Sequence, residues 1–114
     1  MITVENFRKM ALAFPDTVEE PHFESTSFKV KKKIFATLSV EKMQACLKLS
    51  LYDQEIYCAM DKSIIFPVDN YWGSHGWTFV NIKKVKKEIL STAMTSAYNE
   101  ILSSKSKKKV KKSK

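Results

Sequence analysis

The sequence predicts an α+β domain, an antiparallel sheet with helices packed on one face. Three observations predict it. Apolar residues recur at helical spacing at both ends of residues 1–102. Between Ser27 and Leu51 the apolar period changes to two. The strands so marked are joined by tight turns, which makes them an antiparallel meander with one apolar face. The sheet gains a further strand near 77–82.

The first element is a helix over roughly 4–14, where Val4, Phe7, Ala11 and Phe14 form one stripe. Thr3 stands as its N-cap, Pro15 as its stop, and Arg8 and Lys9 on its outer face. Asp16–Pro21 reads as a polar turn. Its acids Asp16, Glu19 and Glu20, with Glu24, make a negative patch that repels phosphates.

In the meander, Phe28 and Val30 alternate with Lys29 and Lys31. Ile34, Ala36, Leu38 and Val40 alternate with Phe35, Thr37 and Ser39. Ala45, Leu47, Leu49 and Leu51 alternate with Gln44, Cys46, Lys48 and Ser50. The turns fall at Lys31–Lys33 and Glu41–Met43, and the first has no Gly or Asn to set its register.

Leu51–Met60 reads helical, with Asp53 near its N-terminus. Ile64–Val68 is broken by Pro67 and is an edge strand at best. Asp69–Gly76 is a loop holding both glycines. Trp77–Ile82 is a strand, with Trp77 and Phe79 on one face and Trp77 expected to plug the core. The closing helix spans about Val85–Leu102; Val85, Ile89, Ala93, Ala97 and Ile101 form its stripe, broadened by Leu90, Met94 and Leu102. With no repeat or linker inside it, 1–102 reads as a single globular domain. Residues 103–114, SSKSKKKVKKSK, have one apolar residue in twelve and read as a disordered Lys-rich tail.

Charge divides along the same boundary. The 114-residue chain has a net charge of +8, but the tail holds seven of its twenty cations. Residues 1–102 keep thirteen cations against twelve acids, close to neutrality. Bulk charge therefore supports only nonspecific affinity for polyanions. Two Gly, two Cys and 44% hydrophobic residues exclude collagen-like, disulfide-scaffold and low-complexity classes. No apolar run approaches the roughly 18 residues of a membrane span, and MITVENFRKM lacks a signal-peptide pattern. Cys46 and Cys58 fit a reducing compartment, so a cytoplasmic location and no membrane contact are expected.

The informative charge is local. Lys29, Lys31, Lys32 and Lys33 put four cations in five residues at one hairpin. Lys48 joins them on the solvent face of the meander, where an exposed Phe35 would stack on a base. Lys83, Lys84, Lys86 and Lys87 fall in the first turns of the closing helix. There they oppose the macrodipole and attract an anion. Trp72 and His75 lie in the aromatic loop 71–77, which suits insertion into a groove or one wall of a small-molecule pocket. The competing reading of both lysine clusters is a solvated face that keeps the sheet soluble.

Catalytic patterns are thin. His22 and His75 are far apart, Cys46 and Cys58 match no zinc spacing, and Asp69, Tyr71 and His75 share only a loop. No nucleophile elbow, phosphate loop or dinucleotide fingerprint occurs. A non-enzymatic protein with no metal and no cofactor is expected.

The ordered pieces also resemble a known family. MALAFPDTVEEPHFESTSFKVKKKIFATLSV resembles the start of the MmcQ/YjbR family: a helix, a proline stop, Val-Glu-Glu, then a hairpin into a Lys-Ile-Phe-Ala strand. LKLSLYDQE looks like that family's fourth strand running into its middle helix, and Trp72-Gly73…Gly76-Trp77-Thr78-Phe79-Val80 like its Trp-containing loop and strand. The likeness covers about residues 5–102. It implies a frataxin/CyaY-like α+β fold with a double-wing DNA-binding motif and DNA as partner; separately, a monomer is expected rather than an oligomer. Three departures stand out. Lys31-Lys32-Lys33 replaces a Gly-containing tip, and Lys86 and Lys87 replace acids at the closing helix. The family's Asn-Lys-x-His-Trp loop is Trp-Gly-Ser-His-Gly-Trp here, so its lysine contact does not carry over. The alternative function is a small-molecule- or protein-binding domain using loop 71–77.

Overall fold

Thr3 starts the first helix as its position suggested, its Oγ1 accepting from the Asn6 N–H at 3.0 Å. The computed structural model describes residues 2–22 and 25–113; of His22 and 104–113 it describes the backbone alone. The chain runs α1 (Val4–Leu12), β1 (Thr17–His22), β2 (Ser25–Val30), β3 (Lys33–Ser39), β4 (Gln44–Lys48), α2 (Leu51–Met60), β5 (Ile65–Pro67), β6 (Trp77–Asn81) and α3 (Lys87–Ser113). The strands form one antiparallel sheet in the order β1-β2-β3-β4-β6-β5.

The three helices meet this sheet from one side. Phe7 of α1 packs on Phe28, Gln54 of α2 bonds Thr78, and Tyr98 of α3 packs on Phe35. The core lies between them: Phe28, Ala36, Leu38, Ala45, Leu47 and Val80 from the sheet against Phe7, Ala11, Leu90, Met94 and Ala97 from the helices.

Four differences from the sequence reading have physical causes. Thr17–His22 is an edge strand, not a turn. Its TVEEPH has no apolar alternation because charges and Pro21 protect an outer edge. Second, Phe35 is fully buried rather than exposed. Phe28 pairs with Ala36 and Lys29 with Ile34, so Phe35 is an extra residue in β3. This β-bulge turns Phe35 to the helix side and puts Ile34 on the opposite face with Lys29. Third, β6 has the reverse facing: Thr78 and Val80 are buried, while Trp77 and Phe79 are only partly so. Trp77 therefore does not plug the helix-covered core; the small Thr78 takes that side because Gln54 hydrogen-bonds it. Fourth, Val40 is exposed in the turn after β3.

The closing helix starts two residues late and runs longer. Asn81 first holds a turn, its carbonyl accepting from Lys84 and Val85 and its side chain from Lys83. Helix then continues to Ser113, since no Gly or Pro interrupts the Lys- and Ser-rich sequence. The tail expected over 103–114 falls here, and its side chains beyond Ser103 lie outside the described residues.

Direction matters for the site. The β2–β3 hairpin, the end of β4 and the start of β6 share one end of the sheet, called here the hairpin end. Helix α3 begins at the other end, where Val85 and Ile89 lie beside Ile64 and Ile65. It arrives at the hairpin end with Tyr98, whose hydroxyl donates to the Pro15 carbonyl at 2.8 Å.

Candidate nucleic-acid interface

Lys31 and Lys32 are the two central residues of the hairpin turn and have φ of 51° and 70°. Two left-handed residues are what a tight hairpin turn requires, and Asn-Gly is the usual solution. An ordinary side chain there costs about 1–2 kcal/mol per residue. Lys31, Lys32 and Lys33 are all exposed, and no carboxylate among the described residues lies within ion-pair distance of them. Lys29 differs: its Nζ donates to Glu20 Oε1 at 2.9 Å, so its charge is already matched.

The N-terminal acids are likewise engaged. Glu19 takes a two-pronged contact from Arg8, Nε to Oε2 at 2.9 Å and Nη2 to Oε1 at 2.8 Å. Hydrogen bonding and charge from Arg8 hold the Glu19 carboxyl below the usual carboxylate range, with burial partly opposing. The expected negative patch is thus partly neutralised by its own fold; Glu24 lies outside the described residues.

Lys48 ends β4, directly opposite Trp77 and beside the aromatic loop. That loop is held by backbone constraints. A Cβ on Gly73 would stand 1.6 Å from the Val68 carbonyl oxygen, and Gly76 has φ of +100° with the Leu49 carbonyl in the same way. The Gln54 side-chain amide reaches the Gly73 carbonyl at 2.9 Å, and the Trp77 carbonyl and Thr78 hydroxyl at 3.2 Å. So anchored, the loop presents Tyr71, Trp72 and His75 to solvent, with Tyr71 against both Trp72 (5.3 Å between ring centroids) and His75 (4.3 Å).

The structure brings some predicted residues together and separates others. Lys31, Lys32, Lys33, Lys48, Trp72 and His75 gather at the hairpin end. Lys83, Lys84, Lys86 and Lys87 are exposed but follow β6 at the opposite end. Of these only Lys87 is helical, with Lys86 preceding it, so the macrodipole argument reaches two of the four. Lys84 lies near Asp61, whose carboxyl is lowered mainly by hydrogen bonds from Ser63. Phe35 is absent from any outer surface.

Sequence reasoning found the solvent face of the meander but missed the aromatic residues that β5 and β6 add to it. Paired residues share a face, so Glu20, Ser27, Thr37, Cys46, Phe79 and Phe66 form one row across that face, with Lys48 and Trp77 paired beside it. Burial pushes the Cys46 thiol up to about 12, partly offset by the Thr78 backbone, so it is held neutral. The reversed facing of β6 hid this aromatic row.

A groove of about 560 Å³ lies elsewhere, between α2 and β5, lined by Leu51, Gln54, Cys58, Lys62, Ile65 and Phe66. None of Tyr71, Trp72 or His75 lines it. Among the described residues, no group of three or more His, Cys, Asp or Glu is placed to hold a metal ion. No described helix is long and apolar enough to cross a membrane.

No curated protein matches the chain. Among solved structures it is similar to the crystal structure of DR2400 of Deinococcus radiodurans, a protein with a DUF419 domain. The TM-score is 0.76 at 23% identity, over 86% of this chain and 77% of that one. At this identity the likeness establishes the fold. The YjbR family model matches residues 12–100, from the last residue of α1 through the whole sheet and most of α3's packed length. The chain belongs to the YjbR family.

Proposed function

We propose that the chain is a non-catalytic DNA-binding module that holds phosphates at the hairpin end of its sheet. One observation carries this reading. The topology gathers Lys31, Lys32, Lys33, Lys48, the Trp72–His75 loop and the exit of α3 at one end. Seven of the chain's twenty cations follow that exit, so the local cluster and the charged segment start from the same place. The left-handed Lys31 and Lys32 support it further, because a charge is kept where Asn-Gly would relieve strain. The family resemblance to a double-wing DNA-binding motif points the same way. Lys83, Lys84, Lys86 and Lys87 follow the far end of β6, more than a five-residue strand length (about 17 Å) away, and reach only a ligand that spans the sheet.

Duplex binding measured against salt tests the reading. The full chain should bind with a steep log–log salt slope. The K31A/K32A/K33A variant should lose up to roughly three units of that slope. A variant with its seven C-terminal lysines changed to serine must keep measurable low-salt binding; if it binds nothing, the folded domain is not the binder.

A further inference from the structure

We infer that the sheet face opposite the helices is a platform for unpaired bases, so that the ligand includes single-stranded nucleic acid. The inference rests on the proposed polyanion binding and adds the kind of strand. Paired positions place Phe66, Phe79 and Cys46 in one row, with Trp77 and Lys48 paired immediately beside it. Phe66 and Phe79 are 5.7 Å apart between ring centroids and tilted by 56°. All three aromatic side chains remain partly open to solvent, Phe66 at the sheet edge where it also lines the groove beside α2.

Two facts choose the occupant. A protein-docking apolar face would be continuous, yet this one is interleaved with Thr37, Ser39, Gln44 and Asn81, with Lys29 already paired to Glu20, and with Lys48, the cation it offers to a phosphate. Its paired rows contain a single carboxylate, Glu20, already bound by Lys29. Aromatic faces for bases, cations for phosphates and neutral polar groups between them are the composition that binds single strands without sequence preference. In the same row the Ser27 hydroxyl is buried with no hydrogen-bond partner among the described residues. The lysines at the hairpin end adjoin this face at Lys48, so a strand lying along β4 and β6 would leave toward Lys31–Lys33.

The test uses the full chain and three labelled probes of equal length: oligo(dT), a 20-base-pair duplex, and an abasic deoxyribose-phosphate chain. Oligo(dT) should bind at least tenfold more tightly than the abasic chain and should quench Trp fluorescence. Phe79→Leu, which keeps apolar volume but removes the ring, should weaken oligo(dT) at least fivefold and leave the duplex and abasic chain unchanged. Oligo(rU) identifies the source: tight binding of either single strand supports the inference, and the tighter one names DNA or RNA. If all probes bind equally and Phe79→Leu changes none, the base platform is wrong while the phosphate reading stands. If no probe binds even at low salt, the proposed function falls and this inference with it.

Discussion

Phe35 stands edge-on to Tyr98, ring centroids 5.6 Å apart and planes at 83°, and joins the start of β3 to α3. Phe14 completes the contact, stacked on Tyr98 at 4.6 Å and edge-on to Phe35 at 6.0 Å. Three distant segments thereby meet at the hairpin end, directly beneath the lysine tip. Phe35→Ala should destabilise the domain by about 3–5 kcal/mol, as expected for a fully buried ring. Tyr98→Phe should cost about 1 kcal/mol, since it loses only the bond to the Pro15 carbonyl. Chemical denaturation measures both. A loss below about 1 kcal/mol in Phe35→Ala would mean the ring is not in the core.

The hairpin turn separates stability from binding. Replacing Lys31 and Lys32 by Asn-Gly relieves two left-handed residues and should raise stability by about 1–3 kcal/mol. The same change removes two cations and should lower affinity for duplex DNA. Thermal melting and a binding titration on one preparation check the opposite signs. A variant that is both more stable and equally tight would show that the lysines are kept for another reason.

The sheet, the helices and most of the core were readable because periodicity reports burial. Leu51–Met60 is a helix as its sequence suggests, with Ser50 capping the Asp53 N–H. Facing was less readable. A single bulge residue shifted Phe35 across the β3 pattern, and periodicity has no mark for an inserted residue. In β6 the polar Thr78 points inward because Gln54 satisfies it from helix α2, a partner 24 residues away. The lysine clusters were legible as clusters. Their placement at opposite ends of the sheet depends on strand order, which no local pattern encodes.

Gln54 couples α2 to the aromatic loop. Gln54→Leu has nearly the same volume but leaves the Gly73 and Trp77 carbonyls and the Thr78 hydroxyl without this donor. It should cost about 1–3 kcal/mol. It should also release the Trp72 loop, seen as faster backbone amide exchange at Gly73–Trp77 than at β3. Unchanged exchange there would place the loop's order in Gly73 and Gly76 alone.

The Arg8–Glu19 contact predicts a pH dependence. The folded Glu19 carboxyl is lowered chiefly by its hydrogen bond from Arg8. Its stabilising effect is therefore complete above the unfolded glutamate value of about 4.3 and is lost as pH falls through the lower folded value. Glu19→Gln should melt below the parent protein at pH 6, and the gap should close as pH falls below about 4. High salt should narrow the gap at pH 6, since Arg8 is partly exposed. A gap that persists unchanged at low pH would assign the loss to packing instead of charge.

Cys46 offers a readout of the helix-free face. Its thiol, raised to about 12 chiefly by burial, has roughly a thousandfold less thiolate at pH 8 than an ordinary cysteine. Cys58 is also raised by burial, but the groove between α2 and β5 opens onto it. Iodoacetamide at pH 8 should therefore modify Cys58 before Cys46, and both far more slowly than in the unfolded chain. Because a raised value favours the neutral thiol, the Cys46 rate should climb tenfold per pH unit through the range where the fold persists. Mass spectrometry of quenched time points separates the two sites. Modification of Cys46 at the unfolded rate would show that the row from Glu20 to Phe66 opens far more readily than its packing implies.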